Sequence, residues 1–258
     1  MTRNRRKHVS DAPDPKGRTA LVTGGASGIG AAICRELAAA GTRVLIADVD
    51  EAGARRVADE LPDATALAVD LDDQHEVAAL GRDVIDRFGG VDILVNNAGV
   101  STVEPFAESD PATWDRMWRI NLRAPMLLSH IFLPGMGERG WGRLVFIATD
   151  GARAGAGGES VYATCKAGLF GLAKTLAREA ARQGVTSNVV CPGLVDTPML
   201  RRVGEERPGM MQALLRTVPV RRAGQPEEVA GLVTYLSSDS AAYVTGQTIS
   251  VSGGVTMA

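Results

Sequence analysis

The sequence is short of cysteine and histidine, and this shortage argues against metal centres and thiol catalysis. It has three cysteines, Cys34, Cys165 and Cys191, which lie far apart and lack the spacing of metal ligands. A cysteine nucleophile would need a histidine partner. None of the three histidines stands at an obvious position to supply one. We therefore expect no metal site, and we interpret the cysteines as core thiols.

Long apolar runs and a large excess of one charge are also missing. No run reaches the roughly 18 apolar residues that suggest a transmembrane helix. The net charge of -2 gives no general attraction to nucleic acid or to an anionic membrane, so we expect neither as a partner. The basic stretch at residues 2–8 has no apolar region after it and is not typical of a secretory signal. We expect a cytoplasmic protein whose residues 1–16 form a flexible tail.

The order of sequence patterns predicts one α/β domain. At 258 residues, with no shift in composition, the chain suits a single domain over residues 17–258. Short β-branched runs alternate with longer helical patterns, which is typical of a parallel sheet and predicts a doubly wound Rossmann fold of about seven strands. We expect strands at residues 19–23, 43–47, 66–69, 92–95, 143–148, 187–190 and 248–251. We expect helices at residues 29–40, 51–60, 74–88, 110–136, 160–182 and 226–236, with a substrate loop at about 197–222.

A glycine-rich segment directly follows the first predicted strand and opens the first helix. Gly24, Gly28 and Gly30 would let the backbone approach a pyrophosphate, and the helix N-terminus offers unpaired N–H groups and a partial positive charge. Their spacing, G-x-x-x-G-x-G, departs from the commoner G-x-G-x-x-G, and a glycine-rich turn without a ligand is the alternative. The segment predicts a dinucleotide site that also includes Ser27 and Ile29.

Two acidic residues that end predicted strands bear on the choice of dinucleotide. Asp48 stands 18 residues beyond Gly30, where a carboxylate can accept hydrogen bonds from an adenosine ribose and would repel a 2′-phosphate. No arginine or lysine occupies residues 25–27 or follows Asp48 immediately. We therefore predict NAD rather than NADP. Asp70 and the adjacent Leu71 are expected at the adenine, with a capping or solvent-facing role as the alternative for Asp70.

Tyr162 and Lys166 lie four residues apart on a predicted helix, which places them on one face. A cation beside a phenol favours the phenolate and lowers its pKa, which would make Tyr162 a usable proton donor and acceptor. Such a pair is common on solvated helices, but here it occurs with four further signals. These are the glycine segment, the sequence Asn-Asn-Ala-Gly at residues 96–99, the hydroxyl of Thr149, and Pro192-Gly193 with Thr197 downstream.

The whole pattern resembles the short-chain dehydrogenase/reductase family, over essentially all of residues 18–258. Residues 23–30 resemble its cofactor motif, and residues 96–99, with Asn97, Ala98 and Gly99, its strand-four motif. The resemblance implies a catalytic set of Asn121, Thr149, Tyr162 and Lys166.

In the role that the resemblance implies, Tyr162 is the acid and base, and Lys166 lowers its pKa and binds the nicotinamide ribose. Asn121 would anchor a water that relays protons from Lys166 to solvent. The segment that begins with Pro192 and Gly193 would hold the nicotinamide carboxamide through Val195 and Thr197.

Thr149 departs from the family pattern, because the family has a serine 13 residues before the tyrosine. A threonine hydroxyl can still donate to the substrate oxygen, although the extra methyl group stiffens χ1 and narrows the pocket. We predict that activity survives. The alternative is that Thr149 only ends a strand and that Asp150 or a water takes its place.

Within the family, the chain most resembles 2-hydroxycyclohexanecarboxyl-CoA dehydrogenases, at residues 150–153, 158–162, 174–179, 188–193 and 250–254. This implies oxidation of an alicyclic 2-hydroxyacyl-CoA thioester to the keto thioester. A 3-oxoacyl thioester reductase and a dehydrogenase of a free cyclic alcohol are alternatives. A non-catalytic NAD-binding sensor is an alternative of another class.

Side chains of the predicted loop suggest how such a substrate would be held. Its apolar residues suit an alicyclic or acyl group, and core packing is the alternative: Met199, Leu200, Met210, Met211, Leu214 and Leu215. Its arginines would meet phosphates at the rim or face solvent: Arg201, Arg202, Arg221 and Arg222. The resemblance also implies a homotetramer or homodimer, and the apolar stretches at residues 126–132 and 169–176 suit such contacts or internal packing.

Overall fold

The computed structural model describes residues 16–206 and 208–257. The tail predicted for residues 1–16 therefore lies outside the described residues except for Lys16. The side chains of Met199 and Met210 are outside them as well.

One parallel sheet of seven strands forms the centre of the described chain. The strands are β1 Thr19–Thr23, β2 Arg43–Asp48, β3 Ala64–Ala68, β4 Ile93–Asn96, β5 Gly142–Ile147, β6 Val185–Pro192 and β7 Thr248–Val251. Their order across the sheet is β3-β2-β1-β4-β5-β6-β7, and every neighbouring pair is parallel. The direction of winding reverses between β1 and β4, and in such sheets ligands bind outside the carboxyl ends of the strands at that point. The predicted doubly wound α/β fold is confirmed.

In the part of the chain that the structure describes, ten α-helices connect and flank these strands. They are α1 Gly28–Ala39, α2 Glu51–Asp59, α3 Gln74–Phe88, α4 Pro111–Trp118, α5 Ala124–Glu138, α6 Gly151–Ala154, α7 Ser160–Ala180, α8 Pro198–Glu206, α9 Pro208–Thr217 and α10 Pro226–Leu236. Within the described residues, none of the helices has both the length and the apolar character needed to cross a membrane.

Both faces of the sheet are covered by helices, as a parallel sheet requires. Side chains of α3, α5 and α7 pack on one face, with Val84, Phe132 and Leu169 buried there. Side chains of α1 and α10 pack on the other, with Leu37 and Val233 buried there.

The largest differences from the predicted elements are in two strands, one helix and the predicted loop. The third strand begins two residues earlier than predicted, at Ala64, and the sixth covers Val185–Pro192 instead of residues 187–190. The helix predicted over residues 110–136 is interrupted by a π-helical turn at Arg119–Arg123. Pro125 stands four residues after Asn121 and has no N–H, so the ordinary helical hydrogen bond to the Asn121 carbonyl cannot form. This missing donor gives a local reason for the widened turn.

The last correction concerns the predicted loop at 197–222, which contains helices α8 and α9. Thr197 starts the first of these helices, because its Oγ1 accepts a hydrogen bond from the N–H of Leu200 at 3.3 Å. Glycines and charged residues in this stretch weaken the helical pattern in the sequence.

The three cysteines are free and buried, in agreement with their interpretation as core thiols. Burial raises the pKa of Cys34 and of Cys191 to about 12. They are therefore poor nucleophiles near neutral pH.

Candidate active site

The glycine segment forms a tight turn between β1 and α1 that only glycine fits. Gly24 and Gly28 have φ angles of +67° and +54°. A Cβ placed on Gly30 would lie 2.0 Å from the carbonyl oxygen of Gly24, and one on Gly24 would lie 2.8 Å from the Cα of Ala98. Because no side chain fills it, this turn leaves room for a pyrophosphate to approach the backbone.

Asn97 fastens this turn to the end of β4. Its Nδ2 donates to the carbonyl oxygens of Thr23 and Gly24, each at 3.0 Å. In return, the Oγ1 of Thr23 accepts from the N–H groups of Asn97 at 3.1 Å and Ala98 at 3.2 Å. Thr23 was not predicted as a site residue, although its hydroxyl directly before the glycines was a signal for this contact. The two motifs thus form one hydrogen-bonded unit.

The N-terminus of α1 is not capped by a side chain. Helices α2, α3 and α4 begin with the aspartates Asp50, Asp73 and Asp110, each of which accepts a backbone N–H. Ser27, at the same position before α1, makes no such bond. The first N–H groups of α1, at Gly28, Ile29 and Gly30, therefore remain available to an anion. The turn and this helix end together fit a dinucleotide.

Asp48 ends β2 beside the glycine turn, as predicted. Its carboxylate accepts from the N–H of Ala26 at 2.9 Å and from that of Asp50 at 3.0 Å. A carboxylate has further lone pairs, so Asp48 can still accept hydrogen bonds from a ribose.

Asp70 is exposed, and its Oδ1 accepts from the N–H of Asp72 at 2.9 Å. Asp73, not Asp70, caps α3, so the exposure of Asp70 matches the solvent-facing alternative, and one of its carboxylate oxygens stays open to a ligand. Leu71 is partly buried and packs against the core.

The segment after β6 lies next to the start of α1. Gly193 donates its N–H to the carbonyl of Val251 at 3.0 Å, and Val195 is buried and pairs with Gly224 in an isolated bridge. The Cγ2 of Thr197 is 3.3 Å from a Cβ placed on Gly28. The segment that begins at Pro192 and the glycine turn are therefore brought together, as predicted.

Lys166 is fully buried beneath the strand ends. Its ammonium donates to the carbonyl of Ile147 at 2.9 Å and to that of Ala98 at 3.2 Å. Burial lowers the pKa of Lys166 to about 8. The ammonium is 5.8 Å from the ring centroid of Tyr162, so the predicted pair does lie together.

Asn121 lies in the π-helical turn, close to Lys166. Its Oδ1 accepts from the N–H of Val100 at 3.1 Å, and its Nδ2 donates to the carbonyl of the same residue at 2.8 Å. Its Oδ1 and the Nζ of Lys166 are 2.9 Å and 3.1 Å from a Cβ placed on Gly99. Only glycine fits between these two polar groups.

The expected lowering of the Tyr162 pKa is wrong for this structure. Burial raises the pKa of the phenol above its ordinary value, and the nearby carboxylate of Glu159 adds to the rise. The Lys166 charge is directed at two backbone carbonyls rather than at the phenol, so it does not offset the burial. Tyr162 is therefore held in its protonated form, which suits a proton donor.

Thr149 stands two residues beyond the end of β5. Its Oγ1 accepts from the N–H of Gly151 at 3.2 Å, which leaves the hydroxyl proton free to donate. Asp150 is buried and accepts a hydrogen bond from the hydroxyl of Ser250, which in turn accepts from Arg153 at 2.7 Å. Asp150 thus serves this internal network instead of replacing Thr149.

Glu159 and Ser101 also face this region and were not predicted. The Ser101 hydroxyl donates to Oε1 of Glu159 at 3.5 Å. Burial raises the pKa of Glu159. The available signals were the spacing of Glu159, one helical turn before Tyr162, and the place of Ser101 just after the strand-four motif.

Two of the four loop arginines are already paired. Arg201 binds Asp196 through two bonds of 2.7 and 3.0 Å, and Arg222 binds Glu228 through two of 2.6 Å. These pairs make Arg201 and Arg222 less suited to phosphate than predicted. Arg202 and Arg221 are exposed.

The chain is similar to a known protein family and to named relatives from other organisms. A family model described as enoyl-(acyl carrier protein) reductase matches residues 24–256. The chain is 42% identical over 247 residues to 2,3-dihydroxy-2,3-dihydro-p-cumate dehydrogenase of Pseudomonas putida, covering 94% of this chain and 95% of that one. It is 40% identical over 241 residues to acetoacetyl-CoA reductase of Rhizobium meliloti, covering 92% and 98%.

A solved structure from Beutenbergia cavernae superposes with a TM-score of 0.87 at 35% identity, covering 94% of this chain and 98% of that one. It is described as a candidate NAD(P)-dependent gluconate 5-dehydrogenase with bound NADP at low occupancy.

Proposed function

The chain belongs to the short-chain dehydrogenase/reductase family, and we propose that it is an NAD-dependent enzyme that interconverts a ring-borne secondary alcohol and the corresponding ketone. The observation that carries the proposal is that Tyr162 and Lys166 lie together at the carboxyl edge of the sheet, where Thr149 follows the end of β5. The glycine turn and the uncapped start of α1 support a dinucleotide beside it.

In this proposal Tyr162 moves the proton. When a ketone is reduced, the protonated phenol donates to the substrate oxygen while the Thr149 hydroxyl donates a second hydrogen bond and orients it. For oxidation of an alcohol, Tyr162 must first lose its proton; the phenolate oxygen then accepts the alcohol proton, and the positive charge of Lys166 near the ring favours the phenolate. A bound nicotinamide supplies the hydride chemistry. Positioning and fixed charge provide most of the rate.

We propose that Lys166 also donates to the nicotinamide ribose and that Asn121 anchors a relay water. The carbonyl of Asn121 suits that anchor, because Pro125 cannot donate the usual helical hydrogen bond to it. Val195 and Thr197 would hold the carboxamide, and Asp70 and Leu71 would border the adenine.

The preference for NAD is proposed from Asp48. Its carboxylate stands at the glycine turn, where it can accept from a ribose hydroxyl and would repel a 2′-phosphate. We expect titration calorimetry to give a tighter Kd for NAD than for NADP. Asp48→Ala should reduce or reverse that preference, whereas Asp59→Ala, an exposed acid at the far end of α2, should leave it unchanged. Tighter binding of NADP by the unaltered protein would contradict the proposal.

Two forms of the ring alcohol are candidates. A 2-hydroxyacyl-CoA thioester of an alicyclic acid is supported by the sequence resemblance, and the Rhizobium relative named for acetoacetyl-CoA fits a thioester. A free cyclic alcohol is supported by the Pseudomonas relative, whose name describes a cyclic diol. The pairing of Arg201 and Arg222 with neighbouring acids also favours the free alcohol, since fewer cations remain for the phosphates of CoA.

Turnover assays test these forms. We expect NAD-dependent oxidation of cyclic secondary alcohols, with kcat/KM compared between free cyclohexanols and 2-hydroxycyclohexanecarboxyl-CoA. Binding of NAD with no turnover of any of these alcohols would favour the non-catalytic sensor.

We also propose a homotetramer or homodimer through α5 and α7. Met126 is 43% exposed and supports this, whereas Phe132 and Leu169 are buried within the subunit. A cytoplasmic location is proposed as well, since the three free thiols suit a reducing compartment.

A further inference from the structure

Glu159 is a partly buried carboxylate with too few protein partners. Among the described residues, its side chain has one hydrogen bond, the long contact from the Ser101 hydroxyl at 3.5 Å. Within residues 16–206 and 208–257, no arginine or lysine forms an ion pair with it. Although Glu159 directly precedes α7, its side chain does not cap that helix. Since a carboxylate can accept about four hydrogen bonds, most of its capacity is open.

The Glu159 carboxylate lies near the Thr149 hydroxyl. The Oε2 of Glu159 is 3.3 Å from a Cβ placed on Gly151, and the Thr149 hydroxyl is 3.5 Å from the same point. Glu159 also acts electrostatically on the phenol of Tyr162, which lies one helical turn further along. A molecule whose reacting oxygen touches Thr149 and Tyr162 therefore has its neighbouring atoms close to Glu159.

The charges of Glu159 and Lys166 limit which chemical groups the substrate can carry beside its reacting carbon. A carboxylate or phosphate at this position would be repelled by Glu159, and an apolar group would leave the carboxylate without hydrogen-bond donors. An ammonium group beside the reacting oxygen would be opposed by the buried charge of Lys166, which lies 5.8 Å from the ring of Tyr162. A neutral hydroxyl satisfies Glu159 without either conflict, and Ser101 is placed to hold the carboxylate towards it.

We propose that Glu159, oriented by Ser101, accepts a hydrogen bond from a second substrate hydroxyl on the carbon adjacent to the reacting one. The enzyme then prefers cyclic vicinal diols to simple cyclic alcohols. This inference rests on the proposed oxidation of ring alcohols and adds a specificity residue to it. Glu159 takes no part in the proton transfer.

The test compares three substrates that differ only beside the reacting carbon. The purified protein is assayed with NAD and cis-cyclohexane-1,2-diol, cyclohexanol, or 2-methoxycyclohexanol, whose ether oxygen cannot donate. A hydrogen bond to a charged group changes kcat/KM by about 10- to 100-fold. We expect the diol to exceed the other two by that factor. We expect the preference to be reduced in Glu159→Gln, which keeps only a neutral acceptor, and lost in Glu159→Ala.

Matched variants separate recognition from folding. Glu108→Gln changes an exposed carboxylate in a short 3-10 turn and should leave the diol preference intact. Glu159→Ala should keep its Tm and its Kd for NAD, which would show that the variant is folded. Ser101→Ala should raise KM for the diol more than it lowers kcat.

Each outcome bears on a distinct claim. Turnover of cyclohexanol without a diol preference, or a diol preference that survives Glu159→Ala, overturns the role of Glu159 and leaves the proposed function standing. Better turnover of 2-aminocyclohexanol than of the diol also overturns it, in favour of a cationic substrate. Absence of turnover with all of these alcohols contradicts the proposed function and the inference that depends on it.

Discussion

Replacing Gly30 by alanine tests whether the turn between β1 and α1 is the dinucleotide site. The new Cβ would stand 2.0 Å from the Gly24 carbonyl oxygen and 2.6 Å from Nδ2 of Asn97. Side-chain carbons essentially never come within 3.0 Å of such atoms, so the turn must move by about 1 Å. That movement disturbs the bond from Asn97 that holds Gly24 in place.

The expected magnitude follows from these contacts. Overpacking of this kind costs about 1–3 kcal/mol, which for a protein of this size lowers Tm by roughly 2–12 °C. Displaced backbone N–H groups would also lose charge-assisted bonds to a phosphate, each worth about 1.5–3 kcal/mol. We therefore expect the Kd for NAD to rise at least about tenfold.

The control is Gly231→Ala in α10, where a Cβ would meet nothing within 4 Å. Alanine in a helix interior is favoured over glycine by about 0.5–1 kcal/mol, so this variant should be slightly more stable and bind NAD normally. Both variants are measured by thermal unfolding and by titration calorimetry with NAD. A Gly30→Ala protein with unchanged Tm and unchanged Kd would refute the reasoning.

Three further predictions concern other parts of the molecule. Thr149→Ser should retain turnover because the hydroxyl is kept, whereas Thr149→Val should lower kcat/KM by about 10- to 100-fold. Equal rates in both variants would show that the Thr149 hydroxyl has no role in catalysis. Arg143→Met should lower the free energy of unfolding, measured in urea, by about 3–5 kcal/mol. The reason is that the buried guanidinium donates hydrogen bonds to Ser238, Gly184 and Asp239. The control, Arg35→Met, loses only an exposed ion pair and should lower it by no more than about 1 kcal/mol. The three cysteines should resist a thiol reagent at pH 8 in the native state and react after unfolding, since burial keeps their pKa values high; rapid labelling of the native protein would show that they are accessible.

The regular part of the fold was predictable because local signals mark it. The strand at Thr19–Thr23 and the helix at Gln74–Phe88 were predicted to the residue. That helix begins with an aspartate cap and ends at Gly89 in the left-handed conformation, and both are readable in the sequence. The switch in apolar period from two to 3.6 separates strands from helices.

The parts that were missed depend on long-range contacts. The raised pKa of Tyr162 follows from burial by segments distant in the sequence. The direction of the Lys166 ammonium follows from the Ala98 and Ile147 carbonyls, which are 68 and 19 residues away. The contact of Ser101 with Glu159 joins residues 58 positions apart, so the local signals at each residue do not show that the two meet.

The central claim is that the Tyr162 hydroxyl carries the proton during hydride transfer. It is tested most directly by Tyr162→Phe, which removes the hydroxyl and little else, with turnover followed by the absorbance of the reduced nicotinamide. We predict that kcat falls by about 10²- to 10⁴-fold while the Kd for NAD and the Tm stay close to those of the unaltered protein. An unchanged kcat in a protein that still binds NAD would contradict the account.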